Sequence, residues 1–478
     1  DTSSVLLCYG GPIRDTGVPN VFNVFDLDNA KKRATQEGWE EMTQSIFASA
    51  EIGWKSMLYL TLTGRNDWAS QLKGSNPTSF FYPSVGLSAV ISEMVTLPKA
   101  IDYLKVRGSF SSVGTPYPRF LVQPTYSYDP TKQDWNAKTH YPIGKLKPER
   151  TDSWEIGVDG TFFKDFKVSG SFYYANTYNQ TFDPKITVSS GYSTLYVQTG
   201  YVRNLGVEGL LSYGHTWRDF GWNSNFTFSW NKNKIVELVK DYVHPETGEI
   251  VNKDRLELKG LGYTKFILKE GGTLGDLYTN ADFIRDDKGY IQIDKNGDVA
   301  KTDNLPDIKL GSVFPKANLA WNNSFSYKGI YAGFQLSARL GGIVYSATQA
   351  ALDQYGVSEA SAAARDRGGV LVNGRSWVNA QQYYEIVATS SGLPQYYTYS
   401  ATNLRLQEAH IGYTIPRKWL GNICDINVSV VGRNLWMIYC KAPFDPEAIA
   451  TTSNFYQGID YFMMPSTRNF GFNVKINF

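Results

Sequence analysis

The last ten residues, Asn469 to Phe478, alternate without a break, with a large apolar side chain at every even position and a polar residue or glycine at every odd one. Successive side chains of a strand point to opposite faces, so this period of two predicts a strand with one hydrocarbon face and one wet face. The same grammar runs back through the chain. Ile46, Ala48, Ala50 and Ile52 lead through a turn at Gly53–Ser56 into Leu58, Leu60 and Leu62. Trp154, Ile156, Val158 and Phe162 lead through Lys164-Asp165 into Phe166, Val168, Phe172 and Tyr174. Val207 to Trp217 returns after residues 218–221 as Trp222, Phe226, Phe228 and Trp230, and Leu319 to Tyr327 returns after Lys328-Gly329 as Phe334 to Leu340. Each pair reads as a hairpin. Leu404 and Leu406 are one residue out of phase with Ala409, Ile411, Tyr413 and Ile415, which predicts a β-bulge at Gln407-Glu408. Residues 1–40 show no sustained period and read as loop.

The polar face admits two environments, the outer surface of a soluble sandwich or the wet lumen of a wide barrel. Connection lengths separate them. Joints near 53–56, 164–165, 218–221, 328–330 and 416–421 are short, whereas those near 113–150, 177–203, 235–313, 342–401 and 437–466 are long, with 64–79 of medium length and 92–102 a longish short side. Soluble β-domains seldom carry five such loops, while outer-membrane barrels pair short periplasmic turns with long external loops. The expectation is an all-β transmembrane antiparallel barrel, with long loops extracellular and the C-terminus periplasmic. About thirteen strands are legible, an odd number where single-chain bacterial barrels have an even one. This parity predicts that residues 1–478 are the C-terminal part of one barrel domain, with an odd number of strands preceding Asp1 in a longer protein.

Composition agrees. The chain of 478 residues holds 32 Tyr, 26 Phe and 12 Trp, an excess that suits two interfacial girdles. A mean hydropathy of −0.32 is no objection, because only alternate residues of a barrel strand meet lipid. The absence of a signal peptide at Asp1 predicts a mature or internal start. A net charge of +2 without a Lys/Arg block gives no reason to expect nucleic acid. Cys8, Cys424 and Cys440 lack metal spacing, and the four histidines, His140, His215, His244 and His410, are scattered. No hydrolase or nucleotide motif occurs, so neither an enzyme nor a cofactor is expected. Asp286-Asp287-Lys288-Gly289 and Asp294 to Asp298 resemble a calcium loop incompletely, and a small hairpin around Tyr290–Ile293 is the expected structure.

Several stretches occur in the order found in one family. Arg65, Asn66, Asp67 and Trp68 before Phe81-Tyr82-Pro83-Ser84, Lys147-Pro148-Glu149 before Trp154-Glu155, Arg203 to Glu208, Trp230 to Ile235, Arg433-Asn434, and the ending at Phe478 together resemble the SusC/RagA-type TonB-dependent transporters of Bacteroidetes. The resemblance implies a 22-stranded barrel with these ~13 strands at its C-terminal end, and a plug and TonB box in a preceding part. It implies active import of a nutrient, most often an oligosaccharide or peptide, with a SusD-like surface lipoprotein as lid, TonB as the source of force, a dimer of transporter–lipoprotein pairs, and membrane lipid and lipopolysaccharide around the wall. Loop aromatics are the candidate substrate contacts: Trp135, Tyr141, Trp377, Tyr383, Tyr384, Tyr396 and Tyr397. The rival reading is a structural or adhesive surface barrel that anchors partners and moves nothing; a passive porin fits the long loops less well.

Overall fold

The computed structural model describes residues 2–9, 33–73, 78–115, 127–129, 134–136, 140–141, 148–182, 194–195, 197–243, 248, 250–262, 264–451 and 457–477, with backbone alone for the pieces within 2–39, 127–141 and 194–199 and for Phe182, Val251 and Lys259. Thirteen strands form one sheet in which every neighbour in sequence is the neighbour in space. They are β1 Thr43–Trp54, β2 Leu58–Ala69, β3 Ser79–Val90, β4 Ile101–Thr115, β5 Glu149–Phe162, β6 Phe166–Phe182 and β7 Val197–Trp217. The series continues with β8 Phe220–Glu237, β9 Ala317–Tyr327, β10 Ile330–Leu340, β11 Asn403–Ile415, β12 Asp425–Cys440 and β13 Asn469–Asn477. All pairings are antiparallel, and among the described residues β1 pairs only with β2 and β13 only with β12.

The tight turns are local chemistry. Lys328-Gly329 takes φ of 47° and 87°, the left-handed pair that matches the twist of a two-residue hairpin. The first hairpin turns at Lys55 and Ser56, both left-handed, so Gly53 and Trp54 belong to β1 rather than to the turn. The bulge falls where the phase slip puts it: Leu406 faces Leu336 and Glu408 faces Gln335, leaving Gln407 without an opposite residue. On the other flank Asn434 takes φ of 52°, so β12 distorts at the same level.

Three expectations need correction. Residues 1–40 are not all loop, because Thr2–Tyr9 pairs antiparallel with Arg33–Glu40. The medium joint 64–79 contracts, since Arg65 to Trp68 lie on β2, and the strands bounding 177–203 reach Phe182 and start again at Val197. Toward the long loops the strict alternation of apolar and polar residues gives way to mixed polar and aromatic ones, so the period disappears while the backbone ladder continues. The third correction concerns residues 238–316, 342–401 and 441–468, which carry secondary structure of their own.

Side chains in register with Trp154, Ile156, Phe172, Val207 and Phe226 make one face apolar. Exposed aromatics gather at its two ends: Trp54, Phe163, Trp217, Tyr327 and Trp419 beside the short turns, Trp68, Phe81, Trp154, Trp436 and Tyr439 toward the long loops. These are the two expected girdles. The opposite face is polar and internally paired. Arg107 reaches Asp159 at 2.6 Å and Glu155 at 3.3 Å, and Ser169 donates to Asp159 at 2.6 Å. Glycines on this face let long side chains lie flat: a Cβ on Gly206 would sit 2.2 Å from the Tyr173 ring.

Candidate ligand-binding canopy

The three longest described connections fold together over the long-loop end of the sheet. Residues 238–316 contribute short strands at Arg255–Lys259, Lys265–Lys269, Asp276–Thr279 and Ile308–Ser312, paired in that order. Residues 342–401 add three helices, α1 Ala347–Gln354, α2 Glu359–Asp366 and α3 Ala380–Val387. Each is started by a polar side chain that accepts from exposed backbone N–H groups: Ser346 from Gln349, Ser358 from Ser361, and Asn379 from Gln381 and Gln382. The last connection supplies Ile459-Asp460, which runs parallel to Ile343–Ser346.

One apolar core joins them. Phe266, Leu277, Phe283 and Val313 from the first connection pack with Tyr345, Ala350, Val387, Leu393 and Tyr397 from the second and Ile459 from the last. A second cluster ties this canopy to the wall, with Leu238, Val239, Leu256 and Leu268 covering Val202 of β7 and Ile235 of β8. The canopy therefore sits on the side of the sheet to which Val202 and Ile235 point, opposite the apolar face.

A polar clamp fixes its edge. Arg405 on β11, 6% exposed, makes a bidentate pair with Asp445 at 2.8 and 3.2 Å and reaches Glu447 at 3.2 Å. Burial disfavours the Asp445 carboxylate, but hydrogen bonds from Arg405 and the Glu447 N–H outweigh it and hold the group below the usual carboxylate range. Asn434 accepts from Arg405 at 3.4 Å and donates to the Thr467 carbonyl at 3.2 Å.

The candidate aromatics divide by exposure. Trp377, on the hairpin Val370–Val372/Ser376–Val378, is 57% exposed, and Tyr396 is 41% exposed with its ring edge-on to Phe283 at 5.3 Å. Tyr383 and Tyr384 on α3 are half-buried with ring centroids 5.4 Å apart. Tyr397 is a correction: at 4% exposure it is a core residue, and its hydroxyl donates to Asp353 at 2.9 Å. Burial raises its phenol well above its ordinary value and pushes Tyr383 up to about 12, so both stay neutral donors. Trp135 and Tyr141 lie on short strands at Asp134–Asn136 and His140–Tyr141, and their side chains lie outside the described residues. Sequence reading missed two neighbours of Trp377. Arg375 stacks over the exposed Tyr290 ring at 4.5 Å, and Asn373 bonds both the N–H and the carbonyl of Ile291. The signal was the expected hairpin at Tyr290–Ile293, which the structure contains between turns at Asp286–Gly289 and Asp294–Gly297. Asp286 and Asp294 spend a carboxylate oxygen on their own turns, accepting from Lys288 and Tyr290, and from Asn296 and Asp298. Among the described residues no three His, Cys, Asp or Glu side chains converge as a metal site.

The motif residues are mostly structural. Arg65 pairs with Asp67 at 2.6 Å and donates to Ser45, while Asn66 and Trp68 flank them on β2. Pro148 accepts from Asn179, Glu149 opens β5, and Trp154 packs on Phe110 with centroids 4.6 Å apart. Arg433 pairs with Glu408 across the bulge at 2.9 Å. Lys147 and Phe478 lie outside the described residues.

A family model described as "TonB dependent receptor-like, beta-barrel" matches residues 7–435. The chain belongs to this TonB-dependent receptor-like β-barrel family. Its apolar face is accordingly the lipid face of an outer-membrane barrel, and its relatives are named as receptors rather than enzymes. TonB-dependent receptor P3 of Formosa agariphila is 24% identical over 463 residues, covering 90% of this chain and 45% of the relative. TonB-dependent receptor SusC of Bacteroides thetaiotaomicron is 24% identical over 246 residues, covering 46% of this chain and 24% of SusC. The structure of the RagAB peptide importer in its closed-closed state superposes with a TM-score of 0.72 at 18% identity, over 94% of this chain and 49% of that one. The chain thus spans about half the length of the P3 receptor and of the matched RagAB chain.

Proposed function

We propose that residues 1–478 form the C-terminal part of a TonB-dependent transporter barrel that imports a nutrient, an oligosaccharide or a peptide, with a SusD-like lipoprotein over its mouth. The plug, the TonB box and the first strands would belong to a preceding part of the protein, through which TonB would act. In this reading the canopy is extracellular, the C-terminus is periplasmic, and transporter–lipoprotein pairs associate as dimers.

The observation that carries the reading is the canopy itself. A passive hole has no use for three connections sharing one core, whereas a receptor needs a rigid, shaped surface at its mouth. Trp377, Tyr384 and Tyr396 offer that surface rings that stack on sugars or on peptide side chains.

Deleting the gene and testing growth on oligosaccharides and on peptides as sole nutrients tests transport. Loss of growth on one class supports import and names the cargo; full growth on every nutrient that the cell uses favours the adhesive reading. Alanine at both Trp377 and Tyr384 is expected to weaken cargo binding about tenfold or more. Unchanged affinity would remove these rings from the site.

A further inference from the structure

One face of the canopy is apolar and bare. Thr348, Leu352 and Tyr355 recur at i, i+4 and i+7 on α1 and its C-terminal cap, opposite the buried Ala350 and Asp353. Tyr355 is 75% exposed, and Val357 just beyond it 68%. The last connection lies alongside: the Phe462 N–H donates to the Thr348 hydroxyl at 2.7 Å, and the Tyr461 and Phe462 rings meet edge-on with centroids 5.2 Å apart. From Tyr461 to Met464 four large apolar side chains in a row are exposed, Met464 at 84%. Neither Tyr355 to Ser358 nor Tyr461 to Thr467 carries a charge. Elsewhere on the described canopy exposed apolar residues stand singly or in cross-strand pairs such as Leu371 and Trp377, so this contiguous face has the mark of an interface.

A loose chain does not explain the display. The Ser346 hydroxyl donates to Asp460 at 2.5 Å before the run, and Asn434 donates to the Thr467 carbonyl at 3.2 Å after it. Ser466 also bonds the clamp carboxylate of Asp445. Between these ties Phe462 takes φ of 51°, a left-handed conformation that crowds a bulky side chain. Strain of this kind persists where surrounding contacts fix it, and here it turns a ring outward.

The place of this face in the fold selects its occupant. Residues 465–468 lead from it into β13, whose second edge has no partner among the described residues. Hydrocarbon cannot satisfy the backbone groups of a bare edge, so in the membrane another strand runs beside β13. Because β13 runs from the long loops toward the short turns, an antiparallel neighbour runs the other way and leaves the sheet at the long-loop end, next to residues 461–468. Met464 lies five residues before Asn469, at most about 17 Å of chain from the start of that edge.

We propose that the connection leaving this neighbouring strand, supplied by the preceding part of the protein, packs on Tyr355, Val357 and Tyr461 to Met464 and closes the canopy across the seam of the barrel. The inference rests on the proposed reading that such a part exists; the P3 receptor, of which the match covers 45%, is long enough to contain one. An uncharged face suits a permanent partner in the same polypeptide, because obligate interfaces are more apolar than those of separable proteins. A removable lid calls for a more polar surface.

The test places the photo-reactive residue benzoylphenylalanine at Met464 or at Tyr355 of the full-length protein, irradiates outer membranes and reads the cross-linked peptides by mass spectrometry. The expected product is a cross-link within one polypeptide, to a peptide preceding Asp1, formed equally after purification in detergent away from other proteins. The same probe at Lys55, in the turn at the other end of the wall, should not reach that peptide. Cross-links to a lipoprotein or to a second copy, or none from either position, overturn the seam contact. Phe462→Glu with Met464→Glu gives a separate readout: protease cleavage within 441–468 is expected to speed up about tenfold or more, because charge is forced against an apolar partner. Unchanged cleavage shows a solvent-facing surface and overturns the contact. Intact mass distinguishes this failure from that of the reading beneath it. A mature protein of 53.6 kDa has no preceding part and defeats both, whereas a larger one with cross-links elsewhere defeats the seam contact alone.

Discussion

The wall and the canopy use the same kinds of apolar residue in opposite ways. On the wall Ile156, Phe226, Phe472 and Val474 stand exposed in rows, because their solvent is lipid and each needs only its cross-strand neighbours. In the canopy Phe266, Ile267 and Leu268 follow one another and all are buried, Phe266 in the core shared by the three connections and Leu268 in the cluster against the wall, so both faces of a short strand are covered. The contrast separates two codes in one chain. A period of two marks a sheet with one face in lipid, and its loss marks structure that buries apolar groups against other connections.

Breaking the canopy core should cost most. Phe266→Ala removes a fully buried ring and is expected to destabilise the canopy by about 3–5 kcal/mol, read as rapid proteolysis within residues 238–316 while heat-modifiable barrel migration persists. Arg405→Ala leaves Asp445 buried without its partner, and a loss of roughly 3–5 kcal/mol is expected in thermal unfolding of the canopy. The same pair gives a pH dependence. Because the Asp445 carboxyl is held low in the folded protein, its contribution is present above about pH 3.9, the ordinary value, and is lost as pH falls through the depressed one. Clamp opening on acidification to pH 5 would contradict that sign. On the wall, Phe226→Arg at mid-height is expected to cost about 2–4 kcal/mol in refolding into vesicles, whereas Thr227→Arg, one residue on and facing the lumen, should cost far less. Equal costs would show that the faces are misassigned. The smallest stability effect belongs to Trp377→Ala, within about 0.5 kcal/mol, because the side chain already meets solvent. Its readout is ligand affinity.

The wall was largely legible in advance. Alternation alone located the hairpins and the slip at Gln407, because each reflects contacts between residues near in sequence. Strand ends were less legible where Arg65–Trp68 and Val197–Tyr201 leave the apolar belt, since a ladder of backbone bonds carries no side-chain signature there. The canopy was hidden for a different reason. Val313, Leu393 and Ile459 meet from three connections, and nothing near each in sequence announces its partners. Tyr397 shows the consequence for the site: an aromatic in a long loop reads as a ligand contact, but Asp353 and the shared core claim it. Arg405 with Asp445 was missed in the same way, forty positions apart with no common motif.

The three connections share one core and are expected to unfold as one unit while the wall beneath them holds. Hydrogen exchange followed by mass spectrometry, comparing the wild type with Phe266→Ala, tests it most directly. Amides in 255–283, 343–397 and 457–460 should lose protection together, while those of β8, β9 and β10 below the canopy keep theirs. Loss confined to the strands around Phe266, with the helices of 347–387 unchanged, would contradict it.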